Sequence, residues 1–493
     1  MARPRPLPPS ASSLSASMRD LGYSLETAVA DIIDNSISAE ATEIQILCDL
    51  TRASPTLVIL DNGRGMTEDD LILAMRHGAA NPKEPRSPRD LGRFGLGLKT
   101  ASFSQCRKLT VASSQDGSRC GAEWDLDLID EKDDWIITIL DQEDIEQLPF
   151  IERLADQGTI VIWQSLDRLF EDESNLRRDE IVNEKLDVLD KHLSLVFHRF
   201  LAGEVKGRKK VRISINGHPV EPFDPFCRKS GSQMLPEDVV RIDGHSVQMQ
   251  PYILPHHSRL TAREYDYYQG RSDFISNQGA YIYRNGRLMA WGDWFRLIPK
   301  GEATKLARVQ IDFPNSLDEA WTIDIKKSRA RPPHAVRERL RQIIPQIEGR
   351  STRVHKGRGQ KLFEEVEAPV WERFADHGRI RYSLNARHPL VEALAAKLDE
   401  QGRKSLDLLL EAAAAALPVE MIYSDYSSSP REVDQSTVEE SEVRAKLTAL
   451  KLALCGRGGG DAAQFREVLK SSRLFEKHME VAEAFLREEF AND

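Results

Sequence analysis

Apolar positions in Ser24–Ile37 recur at helical spacing, with a stripe at Ala28, Ile32 and Ile33, which predicts an amphipathic helix. Residues 43–49 read as a strand, and the unbroken apolar run Leu57-Val-Ile-Leu60 as a buried one. A helix is predicted over 67–77, capped by Thr67 and carrying Glu68, Asp69 and Asp70 in its first turn. Residues 78–92, with Pro82, Pro85 and Pro88, form a polar connection. Ile160-Val-Ile-Trp163 is strand-like, and Glu184–Leu201 is a helix that bridges to a second domain. Strand signals continue at Val211-Arg-Ile-Ser-Ile215, with a turn at Asn216-Gly217, and at Ala280-Tyr-Ile-Tyr-Arg-Asn-Gly-Arg-Leu-Met289. Residues 385–416 and 438–491 are helical in pattern and rich in Ala, Leu and Glu. Ser424-Asp-Tyr-Ser-Ser-Ser-Pro430 separates them as a turn-prone linker. No internal repeat is visible, and the pattern as a whole is α+β.

A length of 493 residues fits roughly two to four domains. No apolar stretch of about eighteen residues occurs, so no transmembrane helix is expected. The start, Met1-Ala-Arg-Pro-Arg-Pro-Leu-Pro-Pro9, lacks the apolar core of a signal peptide, and residues 1–13 read as a flexible tail. Cysteines 48, 106, 120, 227 and 455 show no metal-type spacing and are odd in number. That predicts isolated reduced thiols in a cytoplasmic protein. The net charge of −10 argues against wholesale coating of nucleic acid. Two basic runs, Lys206-Gly-Arg-Lys-Lys-Val-Arg212 and Arg350 to Lys361, are nonetheless dense enough to contact several phosphates. They lack interleaved aromatics, so base stacking is not indicated. Gly456-Arg-Gly-Gly-Gly460 lacks a lysine–serine pair and a preceding buried strand, and reads as a flexible break.

Three stretches carry the candidate chemistry. In Asp31-Ile-Ile-Asp-Asn35 the outer residues are four apart on one helix face. A carboxylate beside a carboxamide suits a general base next to a magnesium ligand. Asp61-Asn-Gly-Arg-Gly65 ends a buried strand, and its glycines let backbone approach a flat ligand. Leu91-Gly-Arg-Phe-Gly-Leu-Gly-Leu-Lys99 is a glycine-rich loop that closes onto a helix start, which is phosphate-cradling chemistry.

In this order, with Gly158-Thr159 ahead of Ile160–Trp163, the motifs resemble those of the GHKL ATPases. That superfamily includes gyrase B subunits, MutL, a heat-shock chaperone, histidine kinases and MORC proteins. The wording Gly92–Lys99 is most similar to the MORC-like bacterial branch. The resemblance implies an α/β sandwich ATPase domain of the Bergerat type over residues 14–200, and a transducer (S5-like) α/β domain over 201–345. A mostly helical region would then follow over 346–493. It also implies ATP and Mg2+ as cofactors, with a role for each motif residue. Asp31 would be the general base. The family commonly has Glu there, and an Asp is shorter by about 1.5 Å; since misplacement by about 1 Å can cost on the order of a hundredfold, turnover should be slow. Asn35 would ligate magnesium, and Asp61 would accept the adenine amino group with a water held by Thr159. Gly63 and Gly65 would make room for the base, with Met66 against the ring. Around the phosphates, Gly92, Gly95 and Gly97 would present N–H groups, Arg93 and Lys99 would add charge, and Phe94, Leu96 and Leu98 would complete the loop. Ala79 sits where related lids often carry serine. Trp321-Thr-Ile-Asp-Ile-Lys-Lys-Ser328 is similar to the transducer segment whose lysine reaches the γ-phosphate. Lys327 shares a strand face with Trp321, Ile323 and Ile325 and is preferred over Lys326.

A histidine kinase would need a phospho-accepting helix pair ahead of residue 14. A topoisomerase subunit would continue into a nicking domain, and a MutL endonuclease into a His/Glu/Cys metal site; neither is evident after 345. A chaperone would carry a larger middle domain. What remains is an ATP-gated homodimeric clamp, on DNA by analogy with restriction and anti-phage proteins, with a nuclease or helicase as partner and no membrane. The alternative is a protein-remodelling ATPase without DNA.

Overall fold

The structure, a computed structural model, describes residues 9–490 apart from 21, 50–54, 79–89, 93–96, 170–177, 256–259, 262–263, 265–266, 269–275, 302–303, 324–329, 348–368, 377–378, 429–441, 456–461, 473–474 and 476–477. The chain divides into two compact units, Met1–Thr352 and Arg353–Asp493. No described helix is long and apolar enough to cross a membrane.

The first unit opens with α1 (Ala11–Arg19), so helix already occupies the end of the segment read as a tail. The Ser10 hydroxyl caps it and also donates to Asp133 Oδ1 at 2.8 Å. α2 (Leu25–Ser38) comes next, then β1 (Glu43–Asp49), β2 (Thr56–Asp61) and α3 (Glu68–Met75), the last capped by Thr67 and Asp70 as its sequence predicts. After these come α4 (Gly97–Phe103), β3 (Lys108–Gln115), β4 (Ser118–Asp125), α5 (Leu126–Lys132), β5 (Thr138–Leu140), α6 (Gln142–Glu146) and β6 (Gly158–Gln164). α7 (Arg178–Val196) and α8 (His198–Ala202) take the place of the single bridging helix. β7 (Arg212–Ile215) and β8 (His218–Pro219) complete an eight-stranded sheet of order β5-β4-β3-β6-β2-β1-β7-β8.

Side-chain alternation sorts this sheet into two faces. Leu57 and Ile59 of β2, Leu109 and Val111 of β3, and Val161 and Trp163 of β6 join the main core with residues of α2, α4 and α7. Val58, Leu60, Ala112, Ile160 and Ile162 form a second core with Ile145, Ile151 and Leu154. β2 is thus buried on both faces, which is why its sequence is an unbroken apolar run.

Two expectations change here. The strand at 211–215 does not open a new domain; β7 pairs in parallel with β1, Ile44 opposite Ile213 and Ile46 opposite Ile215. A boundary at 200/201 therefore runs through one sheet. Local pattern predicts a strand but not its partner. The stretch 280–289 falls in two strands, β12 (Gly279–Arg284) and β13 (Arg287–Asp293), turning at Asn285 and Gly286, both at positive φ as a tight hairpin turn requires.

A second sheet contains β9 (Gln233–Met234), β10 (Asp238–Ile242), β11 (His245–Ile253), β12 (Gly279–Arg284), β13 (Arg287–Asp293) and β14 (Ala307–Phe313), in the order β10-β11-β14-β12-β13 with β9 on β11. A helix over residues 334–347 buries Val336, Leu340, Ile343 and Ile347.

In the second unit a two-stranded hairpin, Trp371–Asp376 with Arg379–Leu384, precedes the helices and has no counterpart in the sequence reading. The helix Val419–Ser428 runs into the segment read as a linker, because serines are tolerated near a helix end. Helices Val443–Cys455, Ala462–Ser472 and Met479–Glu489 share a core of Leu447, Phe465, Val468 and Phe485. Gly456–Gly460 lies outside the described residues.

Candidate functional site

The site begins where polar residues replace apolar ones on the helix-facing side of the first sheet. Asp61 succeeds Leu57 and Ile59 on that face at the end of β2. Thr159 precedes Val161 on β6, and Ser113 comes after Val111 on β3. The register places Asp61 opposite Thr159 and Thr159 opposite Ser113, so the three stand in one line across the sheet. The Ser113 and Thr159 hydroxyls are 2.9 Å apart, and Ser113 also donates to the Gly158 carbonyl and accepts the Met66 N–H at 2.9 Å.

Asp61 is buried, and burial pushes its carboxyl above the usual carboxylate range. The Ser36 hydroxyl at 2.6 Å, the Gly63 N–H at 2.8 Å and the Thr159 backbone oppose that shift. Ser36 lies on α2, so the sheet end and the helix are tied through this carboxylate.

The glycines around it answer to chain packing. A Cβ on Gly65, at φ +71°, would lie 1.9 Å from the Ser114 carbonyl oxygen, and one on Gly158 would lie 2.2 Å from that of Asp61. At Gly63 the tight neighbours are Ala39 and Asp61 Oδ1, all at 3.0 Å. Close backbone approach is their first requirement, whatever room they leave for a base. Met66 is half-buried and packs against the main core.

On α2, Asp31 is buried and its Oδ2 accepts the Tyr23 hydroxyl at 3.0 Å. The start of α4 faces it, since a Cβ on Gly97 would lie 3.7 Å from the same oxygen. Asn35, one turn on, is exposed. A single carboxamide beside one carboxylate is not a protein cage. It fits an ion such as magnesium, which keeps several waters and binds mostly through phosphates. Among the described residues no cluster of three or more His, Cys, Asp or Glu side chains could hold a metal.

The third stretch is described at both ends. Gly92 N–H donates to Asp90 Oδ1 at 2.7 Å, and Leu98 packs against the main core. Lys99, expected to add charge at the phosphates, instead turns inward. It is buried, its Nζ donates to the Ala74 carbonyl at 2.8 Å, and burial brings its pKa down to about 8. The helical phase at the start of α4 directs it there, a direction that residue type does not reveal. His77 nearby, packed against Trp124 and Trp135, is held down to about 4 by burial and by Lys99. Ala79, Arg93, Phe94, Gly95, Leu96, Lys326 and Lys327 lie outside the described residues, as does the basic run 350–361.

In the other basic run, Arg208 donates to the Ile37 carbonyl at 2.8 Å and Arg212 pairs with Glu43, so both serve the fold. Arg208 and Lys206 line a polar cavity of about 680 Å3 beside Arg199, Arg228 and Asp312.

Ser36 and Ser113 were missed in the sequence. The signal for Ser113 was a polar residue at the apolar phase of β3, readable only once its register with Thr159 is known.

Asp61, at the helix-facing end of the first sheet, is thus joined through Ser36 to α2, the helix that bears Asp31 and Asn35. Residues 23–159 match the family model of the histidine kinase-, DNA gyrase B- and HSP90-like ATPases, and form an N-terminal domain of the GHKL type. No curated protein matches the chain.

Proposed function

We propose that this chain binds Mg-ATP at the Asp61 end of the first sheet, hydrolyses it slowly, and works as an ATP-gated homodimeric clamp of the MORC-like kind. The observation that carries the reading is the in-register line Asp61–Thr159–Ser113, held to α2 through Ser36. Asp61 is a buried acceptor suited to an exocyclic amine, with Thr159 and Ser113 beside it to order a water. Asn35 offers a carboxamide oxygen to magnesium, which when bound screens the triphosphate charge. Asp31 takes a proton from the attacking water as general base. Its Oδ2 accepts the Tyr23 hydroxyl, which orients the carboxylate. Lys327 would meet the γ-phosphate from the second domain, and residues 78–92 would close as the lid that pairs with a second copy.

DNA is the proposed cargo. Lys206, Lys209 and Lys210 support it, and the internal bonds of Arg208 and Arg212 reduce the positive surface available. A place in a defence system beside a nuclease or helicase rests on the resemblance alone.

The test has three arms. Calorimetry with Mg-ATP should show binding by the wild type and none by Asp61→Ala, which leaves the pocket unpaired. Light scattering of Asp31→Asn should give a dimer with ATP and a monomer with ADP. A plasmid gel-shift should appear at low salt and vanish at high salt. Wild-type affinity in Asp61→Ala refutes the pocket, equal mass with both nucleotides refutes the gated dimer, and no shift at low salt leaves protein remodelling.

A further inference from the structure

The hairpin β12–β13 carries two buried arginines on either side of its two-residue turn. Arg284 and Arg287 are the terminal cross-strand pair, so their side chains leave on one face. Each reaches a different part of the nucleotide site. Arg287 Nε donates to Asp34 Oδ1 at 3.1 Å, and Asp34 stands in α2 between Asp31 and Asn35, fully buried. Arg284 is clamped by Asp318 through two bonds of 2.7 and 2.6 Å. Its guanidinium also donates to the carbonyls of Asp90, Leu91 and Gly92 at 3.3, 2.9 and 3.4 Å. Those three residues enter the glycine-rich loop. The turn adds Asn285, whose Nδ2 donates to the Asp90 carbonyl at 3.4 Å.

Stability alone is a poor account of these contacts. Burying a guanidinium–carboxylate pair costs about as much desolvation as it returns in attraction, and well-packed apolar residues often do as well or better. Here two such pairs sit side by side where the second sheet touches the helix of Asp31 and the strap of the phosphate loop. We infer that Arg284 and Arg287 are positioning residues that set the two halves of the ATP site, Arg287 the register of Asp31 and Asn35, and Arg284 the entry of the phosphate loop. The inference rests on the ATPase reading. It makes the second sheet part of the active machinery: whatever shifts the hairpin moves the base and the loop together.

The two arginines have separable effects. Arg287→Gln removes the charge that fixes α2 and leaves the loop alone. It should lower kcat between about tenfold and a hundredfold, as expected of an ångström-scale shift of the base, with KM for ATP changed by less than about threefold. Asp34→Asn should do the same, and the double variant should be no worse than either single one. Arg287→Lys keeps the charge for a single bond and should recover most of the rate. Arg284→Gln should instead raise KM for ATP about tenfold or more with a smaller change in kcat. Arg284→Lys should not rescue it, because an ammonium cannot serve two carboxylate oxygens and three carbonyls from one plane. Thermal melts accompany the kinetics, and the lysine variants stand in wherever a glutamine variant fails to fold. If both glutamine variants keep kcat and KM within about twofold of a wild type that turns over, or if kcat and KM fall in parallel with no rescue by Arg287→Lys, the positioning role is wrong and the ATPase reading survives. A wild type that neither binds nor hydrolyses ATP overturns both.

Discussion

Lys99 is a cation that the fold has taken out of water. An unperturbed lysine titrates near 10.5, and burial brings this one to about 8. Below pH 8 the ammonium is charged in both the folded and the unfolded chain, and the folded state carries the full desolvation penalty. Between about pH 8 and 10.5 the folded chain has released a proton that the unfolded chain still holds, so stability rises with pH. Lys99→Met should remove this rise. The stability difference between variant and wild type, from urea midpoints, should shrink by on the order of 2 kcal/mol between about pH 7 and pH 10; a flat difference would mean that Lys99 keeps access to water. At this scale the sequence was legible where a motif repeats a backbone need. Asp61, Gly65 and Thr159 stand where a strand end and a turn place them. It was illegible where direction matters: nothing in Gly97-Leu-Lys99 says that the lysine turns inward toward Ala74.

Among elements, the joint between α8 and the second sheet is specified by stacking and by charge together. Arg199 lies 3.6 Å over the Tyr283 ring and bonds Asp312 at 2.5 Å. His198 Nε2 is 2.8 Å from the Tyr283 hydroxyl, and burial holds that histidine neutral, well below its usual pKa. Arg199→Met should cost on the order of 2 kcal/mol, because Asp312 is then left with a partner short in a poorly solvated place. Urea unfolding of the full chain reads this out, and Arg199→Lys should regain only part of it, since the stacked plane is lost. A cost below about 0.5 kcal/mol would class the pair with ordinary surface ion pairs. Element existence was well predicted by periodicity, as α2, α3 and β2 show. Element partners were not: β7 pairs with a strand about 170 residues earlier in the chain, which no local window contains.

At the scale of the whole molecule, the division after Thr352 predicts that a fragment of residues 1–352 folds alone and binds Mg-ATP with the affinity of the full chain. Calorimetry on both decides this, and a tenfold loss in the fragment would make the C-terminal unit part of the site. Composition announced that unit's helices and nothing of what they do, because Ala, Leu and Glu in helical phase describe a packing and not a chemistry.

The parallel pairing of β1 with β7 also has a temporal side. A ribosome delivers residues 43–49 long before residues 212–215, and the edge that carries Ile44 and Ile46 waits for Ile213 and Ile215 all that while. An open strand edge is a template for wrong partners, and contacts so distant in the chain form late. The stretch that bears the nucleotide motifs therefore leaves the ribosome unfinished, and its safe maturation depends on how quickly the polypeptide behind it is made.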